Sequence, residues 1–321
     1  MRRTSLRLPA ISVWAAALLL FCSTSAMADG PLTARRHSGS DLMFGAYTYG
    51  GVWGGMDPVL DLEAAIGRRL DIVHWFTSFD NDWDAAMVEP LGRSGRLPLI
   101  SWQPMNVSTA DIAAGTIDDY LAGWADGVAA YGMPVYLRPF PEMNGDWTAW
   151  NGNSGDLVAA WRHMVDLFAE HGADNVRWVW SPNVTDEPRA DWNRMENYYP
   201  GAEYVDVLAL DGYNWGSVRD GTAWQSFAEI LATGYGRLTA LGSQPIWMAE
   251  TASAETGGDK GLWIEEMFGA AGEFPQLDAI VWFNENKETD WRVASSAAAL
   301  ASFQQQLPGL GDELAGTTTV R

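Results

Sequence analysis

The sequence predicts a single-domain (β/α)8 TIM barrel, an α/β fold in which parallel strands alternate with helices. Short β-rich runs and helical stretches alternate from residue 41 to residue 308, and this alternation favours a parallel sheet. Eight strand-like runs lie in this segment, whose length is close to the roughly 250 residues typical of such a barrel. No low-complexity linker or block of charge divides the segment, so we expect one domain.

The predicted strands follow one another along the whole segment. They are Met43–Tyr47, Ile72–Phe76, Leu97–Trp102, Val135–Phe140, Val176–Trp180, Val205–Leu210, Ile246–Ala249 and Ala279–Phe283. Helical periodicity is clearest in Ile117–Tyr131, Leu157–His171, Trp224–Leu241 and Gly261–Phe274. The segment after the second strand lacks a long helical pattern, and Asp186–Glu203 is predicted to be a long loop with little helix.

A doubly wound sheet is the alternative α/β fold, and it usually carries a glycine-rich phosphate turn after an early strand. The glycine-rich run at residues 50–55 follows the first predicted strand, but no helix with the G-x-G-x-x-G spacing begins there. We therefore interpret this run as a loop of a binding cleft and favour the barrel.

The first 28 residues have the order of a signal peptide: arginines, then the apolar run Ile11–Phe21, then small residues before Asp29. The apolar run is shorter than the roughly 20 residues of a membrane-spanning helix. We expect cleavage near Ala28, a secreted protein, a flexible segment over residues 29–40 and a tail over residues 309–321. Cys22 is the only cysteine and would leave with the signal, so no disulfide is expected.

The charge and the tryptophan content restrict the partners. A formal net charge of −21 disfavours nucleic acid and anionic membranes, because both are negatively charged. The chain has 18 tryptophans, which fit either a large aromatic core or a cleft in which flat rings stack on sugars. We expect a monomer that binds a polysaccharide or an oligosaccharide.

The sequence does not indicate metal or cofactor chemistry. The chain has four histidines, namely His37, His74, His163 and His171. No two of them have the spacing of a zinc site. A Schiff-base enzyme needs a lysine inside the barrel, whereas Lys260 and Lys287 occupy loop-like positions. Residues 80–82 are Asp-Asn-Asp, but the EF-hand calcium spacing is missing. We therefore predict no metal and no cofactor.

Glutamates follow the fourth and the seventh predicted strands. Reactive side chains of a (β/α)8 barrel lie at the carboxyl ends of the strands, so Glu142 and Glu250 are expected to face each other across the barrel mouth. Retaining glycosidases use two carboxyl groups about 5–5.5 Å apart. We predict that Glu142 is the general acid and base, because apolar neighbours favour its protonated form. Glu250 is then the nucleophile, kept ionised by Arg138 and hydrogen-bonded by Tyr213.

Strand alternation and the strand ends add further candidates. Alternation places four residues on the inward face of the fourth strand: Tyr136, Arg138, Phe140 and Glu142. On the seventh strand the corresponding set is Ile246, Met248 and Glu250. The polar and aromatic residues at strand ends that we predict to bind substrate are Trp102, Gln103, Arg138, Asn144 and Trp215.

The segment Tyr136–Trp150, with its Arg-Pro-Phe-x-Glu-Met-Asn-Gly-Asp-Trp run, resembles the acid/base motif of glycoside hydrolase family 26. The similarity extends, in the right order, to Trp161–His163, Val179–Asn183, Tyr198–Gly201, Val205–Asp206, Asp211–Asn214 and Ile246–Thr251. The resemblance therefore covers most of the chain after residue 28.

The resemblance implies a barrel with catalytic glutamates on strands four and seven, which act with retention and without metal. By position, Glu142 is its acid/base residue and Glu250 its nucleophile. Trp147, Tyr213 and Trp282 look like its cleft aromatics. The family includes β-mannanases and also some β-1,3-1,4-glucanases and xylanases.

One departure from the family pattern concerns the substrate. The mannanases usually have histidine directly before the acid/base glutamate, where this chain has Pro141, which carries no side-chain donor. Asn144, Gln103 and His74 are the candidates to supply the missing donor.

The expected function is therefore endo-acting, retaining hydrolysis of a β-linked polysaccharide of the β-1,4-mannan type. Mixed-linkage β-glucan, xylan or a bacterial exopolysaccharide are the alternative substrates. A non-catalytic carbohydrate-binding barrel is the alternative from another class of protein.

Overall fold

The computed structural model describes residues 42–309, which form a closed barrel of eight parallel strands in sequential order. The strands are β1 (Met43–Thr48), β2 (Ile72–Ser78), β3 (Leu97–Gln103), β4 (Val135–Pro139), β5 (Val176–Trp180), β6 (Val207–Asp211), β7 (Ile246–Thr251) and β8 (Leu277–Asn284). The helices are α1 (Asp57–Ile66), α2 (Ala85–Arg93), α3 (Thr109–Ala113), α4 (Asp118–Tyr131), α5 (Ser154–Glu170), α6 (Phe227–Leu241), α7 (Lys260–Ala270) and α8 (Ala297–Gln306). The predicted (β/α)8 barrel is thereby confirmed.

The expected signal peptide, the segment 29–40 and nearly all of the expected tail lie outside the described residues. Within residues 42–309, no helix is long and apolar enough to cross a membrane.

Capping side chains explain why some helices begin at other residues than predicted. Asn153 accepts a hydrogen bond from the Asp156 backbone, so α5 begins at Ser154, before the predicted Leu157. Ser226 and Glu229 form a reciprocal capping box, which delays the start of α6 past Trp224. The segment after β2 holds only the short α2, and the predicted loop over residues 186–203 contains only 3-10 turns, as expected.

Most of the large aromatic side chains belong to the core. Inside the barrel, small and branched residues surround the Trp247 ring, which packs at 4.7 Å from the Tyr136 ring. Between the strands and the helices lies a second set of fully buried tryptophans: Trp102, Trp161, Trp180, Trp263 and Trp282. The high tryptophan content is therefore mainly a property of the layer that joins the barrel to its helices.

Alternation fails at the carboxyl end of β4. Tyr136 packs against the residues inside the barrel and Arg138 also points inward, as predicted. Phe140, however, packs outward against Trp161 of α5. Its φ of +53° lies in the left-handed region, so the backbone leaves the extended conformation after Pro139 and the alternation ends there.

Alternation is also shifted on β7. Ile246 and Met248 pack on the outer side, and Trp247 and Ala249 face the interior, so the predicted inward face is wrong for Ile246 and Met248. The pairing register with β8 shifts between Met248 and Thr251. This irregularity lets Glu250 reach the interior side of the barrel mouth although Ile246 and Met248 face outward.

Candidate active site

A strained turn after β4 presents Glu142. Glu142 itself has φ +54°, close to that of Phe140, and its backbone N–H donates to the Ser181 carbonyl at 2.8 Å. Non-glycine residues in this region cost on the order of 1–3 kcal/mol each and cluster at functional sites. The hydrogen bond ties the turn to the end of β5, so the position of Glu142 is fixed by two neighbouring strands.

Both oxygens of the Glu142 carboxyl accept a hydrogen bond. Asn183 Nδ2 donates to Oε1 at 2.7 Å, and Trp147 Nε1 donates to Oε2 at 2.8 Å. The amide of Asn183 is held in this orientation because its own oxygen accepts from the Thr185 backbone at 3.0 Å. Burial, and then the negative charge of Glu250, raise the pKa of Glu142, and the two donors only partly offset this.

The Glu250 carboxyl has charged and phenolic partners instead. Arg138 donates to Oε1 through its Nη2 atom, and the Tyr213 hydroxyl donates to Oε2 at 2.8 Å. Burial, and then the neighbouring carboxylates, raise the pKa of Tyr213 well above 10, so the phenol stays protonated and donates. Burial opposes the charge of Arg138, but Asp211 and Glu250 outweigh it and raise the pKa of the guanidinium.

Asp211 completes the buried charge cluster below Glu250. It lies 3.3 Å from Arg138 Nη1 and accepts from the Ser181 hydroxyl at 2.9 Å. Burial raises the pKa of Asp211 well above its ordinary value, although Arg138 opposes the shift. Arg138 thus lies between the two carboxyls, with Nη1 on Asp211 and Nη2 on Glu250.

An aromatic cluster at the barrel mouth lies beside these charges. The Tyr47 ring stacks on Phe283 at 4.8 Å and meets Phe76 edge-on at 5.1 Å. Phe283 also contacts Tyr213, the partner of Glu250, at 5.9 Å. The cluster therefore packs against the tyrosine whose hydroxyl binds the Glu250 carboxylate.

Comparison with known proteins identifies the family. A profile of glycosyl hydrolase family 26 matches residues 106–248, which include Glu142 and end two residues before Glu250. The chain belongs to glycoside hydrolase family 26.

Two curated relatives carry the names of different enzymes. Endoglucanase H of Acetivibrio thermocellus is 38% identical over 273 residues, which are 80% of this chain and 30% of that protein. A mannan endo-1,4-beta-mannosidase of Bacillus subtilis is 25% identical over 235 residues, 68% of this chain and 58% of that protein. The chain thus spans less than two thirds of the length of either relative.

Solved structures of the family share the fold. The catalytic domain of an endo-beta-1,4-mannanase from Bacillus sp. JAMB-750 has a TM-score of 0.64 at 19% identity, and the match covers 84% of this chain and 86% of that one. A modular endo-beta-1,4-mannanase from Cellulomonas fimi has a TM-score of 0.60 at 17% identity, and the match covers 84% of this chain and 71% of that one.

The structure of this family 26 chain brings the main predicted site residues together. Glu142, Glu250, Arg138, Trp147 and Tyr213 are joined by the hydrogen bonds described above, and Trp147 is 53% exposed beside Glu142. Two further candidates lie nearby. Gln103 is half-buried at the end of β3, and Trp215 packs 4.9 Å from Trp291. The Arg219 guanidinium lies over the Trp215 ring, 3.4 Å from its centroid.

Trp102 and Trp282 are not in the cleft, which corrects two of the predictions. Trp102 is fully buried against Trp124 of α4 at 4.5 Å. Trp282 is fully buried against Phe303 of α8 at 4.9 Å. Both lie on the outer face of their strands, and in β8 the inward residue is Phe283, one position later.

Asn144 is also placed differently than predicted, because it is fully buried. Its amide donates to the Asn183 carbonyl at 2.9 Å and accepts from the Asn183 N–H at 2.8 Å. It therefore fixes Asn183 rather than meeting a sugar. His74, another candidate donor, is fully buried with Nε2 2.6 Å from the Ser101 hydroxyl, and burial lowers its pKa well below 6.5.

Three residues of the site were missed as site residues by the sequence reasoning: Asn183, Asp211 and Phe283. The first two stand at the carboxyl ends of β5 and β6, which is a usable signal in a barrel.

Lys260 was predicted to lie in a loop but is buried at the start of α7, outside the charge cluster. Among the described residues, no group of three or more His, Cys, Asp or Glu side chains is arranged to hold a metal ion.

Proposed function

We propose that the chain is a retaining endo-β-glycanase that cleaves a β-linked polysaccharide by double displacement. Glu250 is the nucleophile, and Glu142 is the general acid and then the general base. The observation that carries the proposal is the pairing of two carboxyl groups at one barrel mouth with opposite surroundings. Such a difference between the surroundings of two titratable groups assigns the acid and base roles.

In the first step, the Glu142 carboxyl gives its proton to the glycosidic oxygen while a Glu250 oxygen attacks the anomeric carbon. The bond to the leaving sugar breaks, and a covalent glycosyl ester with Glu250 forms. The raised pKa of Glu142 favours the protonated carboxyl that this step requires. The indole of Trp147 donates to the same carboxyl and is exposed, so its ring is available to the sugar that leaves.

In the second step, the ionised Glu142 removes a proton from water, and the water oxygen attacks the anomeric carbon. The ester bond to Glu250 breaks and the carboxylate returns to Arg138 and Tyr213. Two inversions at one carbon give net retention of configuration. Glu250 can act as a nucleophile at neutral pH because Arg138 compensates its charge in a buried site.

β-1,4-Mannan is the first candidate substrate. Six curated relatives matched over part of the chain carry the name mannan endo-1,4-beta-mannosidase. An endo mode of attack is consistent with exposed aromatics on separate loops, Trp53 after β1 and Trp192 after β5, which suit a polymer longer than two sugars.

A β-glucan is the second candidate substrate, and two observations favour it. Pro141 replaces the histidine of the mannanases, and its carbonyl is already engaged by Trp150 Nε1 at 2.9 Å. Of the three candidates for the missing donor, Asn144 and His74 are buried, and Gln103 is half-buried at the end of β3. The relative that is 38% identical over 80% of the chain is named an endoglucanase.

We further propose that the protein is exported with residues 1–28 as a signal peptide and acts as a monomer. The order of basic, apolar and small residues supports export. N-terminal sequencing of the exported protein is expected to begin at Asp29, and light scattering is expected to give the mass of one chain.

The test of function is a product assay on mannan, glucomannan, mixed-linkage β-glucan and xylan, followed by NMR of the first anomer released. We expect oligosaccharides from mannan or from a β-glucan, with retained configuration. An inverted first product would reject double displacement. A folded protein that is inactive on every polymer would favour the carbohydrate-binding barrel.

A further inference from the structure

Lys260 is a buried cation that the proposed chemistry does not use. It is the first residue of α7 and only 1% exposed. Its ammonium makes three hydrogen bonds to neutral oxygens: the Asp290 carbonyl at 3.1 Å, the Arg292 carbonyl at 2.9 Å and the Ser295 hydroxyl at 2.8 Å. Lysine is almost never fully buried unless its charge is paired, so the burial of Lys260 calls for a structural explanation.

The position is unfavourable for a positive charge in two ways. Burial lowers the pKa of Lys260 to about 8, although the charges of Glu255 and Asp290 oppose this and Arg292 adds to it. The first turn of a helix also repels cations, because the helix dipole is positive there. The compensation comes from the segment after β8, whose oxygens converge on the ammonium.

That segment carries Trp291. The two carbonyls bound by Lys260 belong to Asp290 and Arg292, the residues on either side of Trp291. The Trp291 carbonyl is held separately, since Trp282 Nε1 donates to it at 2.8 Å. Three consecutive carbonyls around this tryptophan are therefore fixed, two by Lys260 of α7 and one by Trp282 of β8.

Trp291 in turn supports the partner of the nucleophile. Its buried ring lies 5.1 Å from the ring of Tyr213 and 4.9 Å from that of Trp215. The Tyr213 hydroxyl donates to Glu250 Oε2 at 2.8 Å. A continuous path of contacts thus leads from the Lys260 ammonium to the Glu250 carboxylate.

We propose that Lys260 is a positioning residue: it clamps the backbone around Trp291, and Trp291 holds the Tyr213 ring where its hydroxyl meets Glu250. This positioning role rests on the proposed function, in which Glu250 is the nucleophile. Lys260 touches neither the substrate nor the reacting atoms, and its effect on catalysis passes through Trp291 and Tyr213.

The principal test is Lys260→Met, which keeps the length of the side chain and removes the ammonium. We expect kcat to fall about 10- to 100-fold, the scale of a small misplacement of a reacting group, with KM changed far less. Ser295→Ala removes one of the three acceptors and is expected to lower kcat in the same direction by a smaller factor. An unchanged kcat in both folded variants overturns the proposal.

A double-mutant cycle separates positioning from general loss of structure. In a Tyr213→Phe background the phenol no longer bonds Glu250, so Lys260→Met is expected to lower kcat by less than about threefold. Equal losses with and without the Tyr213 hydroxyl overturn the proposal, because the effect would then not pass through Tyr213.

Arg96→Met is the matched control. Arg96 is a buried cation paired with Glu63, directly before β3 and therefore at the opposite end of the barrel. We expect this variant to lose stability and keep kcat. A comparable loss of kcat in this control overturns the proposal, since any buried cation would then have the same effect.

A crystal structure of the Lys260→Met protein does not depend on activity. The proposal predicts that Trp291 is displaced and that the Tyr213–Glu250 hydrogen bond is broken in this variant. A hydrogen bond that is still present at 2.8 Å overturns the proposal. Failure of the proposed function has a different signature, namely a wild-type protein without hydrolysis on any polymer. In that case the crystal structure still decides the role of Lys260.

Discussion

The two halves of the barrel mouth hold the same type of side chain in different surroundings. Glu142 stands on a strained turn beside an exposed tryptophan, and its carboxyl accepts only from neutral donors, Asn183 and Trp147. Glu250 ends a buried strand, where Arg138 supplies a positive charge and Tyr213 a phenolic donor. The contrast teaches that burial without a paired cation favours a proton carrier, whereas burial beside a cation favours a stable anion.

The largest expected effects come from removing either carboxyl. Glu250→Ala is expected to lower kcat on polymer by about 10⁵-fold or more, as loss of a nucleophile does. Glu142→Ala should cost about 10²–10⁴-fold on polymer and much less on an aryl glycoside whose leaving group needs no proton. Steady-state rates on both substrates measure these losses. Glu89→Ala is the control: Glu89 forms an exposed ion pair with Arg93, and kcat should be unchanged in this variant. If Glu142→Ala and Glu250→Ala lost the same factor in kcat on the aryl glycoside, the proposed difference in their roles would be contradicted.

The next effect concerns the phenolic donor on the Glu250 side. Tyr213→Phe removes one hydrogen bond to a charged group, which is worth about 1.5–3 kcal/mol, so kcat should fall about 10- to 150-fold. Stopped-flow or steady-state kinetics measure the change. Tyr199→Phe is the matched control, since Tyr199 packs on Trp180 away from Glu250. An intact kcat in Tyr213→Phe would mean that Arg138 alone orients the nucleophile.

The amide donor on the Glu142 side should alter the pH profile more than the maximal rate. The hydrogen bond from Asn183 lowers the pKa of Glu142, so Asn183→Ala raises that pKa further. Glu142 must be protonated for the first step, and a higher pKa keeps it protonated at higher pH. The alkaline limb of kcat/KM is therefore expected to move to higher pH, while the acidic limb stays.

Asn197→Ala is the control for this profile, because Asn197 lies in the same loop and donates only to backbone carbonyls. Both limbs should be unchanged in it. A shift of the alkaline limb toward lower pH in Asn183→Ala would contradict the assignment of Glu142 as the acid.

The smallest expected effect is on the stability of the loop that carries Asn183. Arg237 bonds both oxygens of Glu196, at 2.7 and 2.6 Å, and also reaches Asp186 at 2.9 Å. Arg237→Met should lower the free energy of unfolding by about 1 kcal/mol at neutral pH. The hydrogen bonds from Arg237 lower the pKa of Glu196 to about 2.

A lowered carboxyl pKa gives stability that is complete above the ordinary value of 4.5 and is lost as pH falls toward 2. The difference between wild type and Arg237→Met should therefore narrow as the pH is lowered from 5 toward 3. Urea unfolding at several pH values measures it. A difference that widens on acidification would show that the ion pair is not its source.

The fold could be predicted almost completely from the sequence, because eight alternating units have a strong periodic pattern. The two carboxylates and the partners of Glu250 could also be predicted, since strand ends converge at one rim of a barrel. Which side of a strand faces inward was harder. Trp282 and Phe283 are adjacent aromatics, and only the three-dimensional register shows that Phe283 is the inward one.

Local irregularities account for the other differences. The left-handed backbone at Phe140 and the register shift before Thr251 both break the period of two on which the prediction rested. Asn144 was predicted to bind substrate because it is a polar residue that follows the end of the fourth strand, but it folds back onto the backbone of Asn183. Such side-chain to backbone bonds depend on a loop more than 30 residues away, which no local pattern encodes.

The most direct test of the account is to trap the covalent intermediate. A 2-deoxy-2-fluoro glycosyl fluoride of the sugar that the enzyme accepts slows both steps, and a good leaving group lets the ester accumulate. Peptide mass spectrometry is expected to place the fluorosugar on Glu250 in the wild-type protein. A label on Glu142, or time-dependent inactivation without any labelled carboxyl, would contradict the division of roles between the two halves of the mouth.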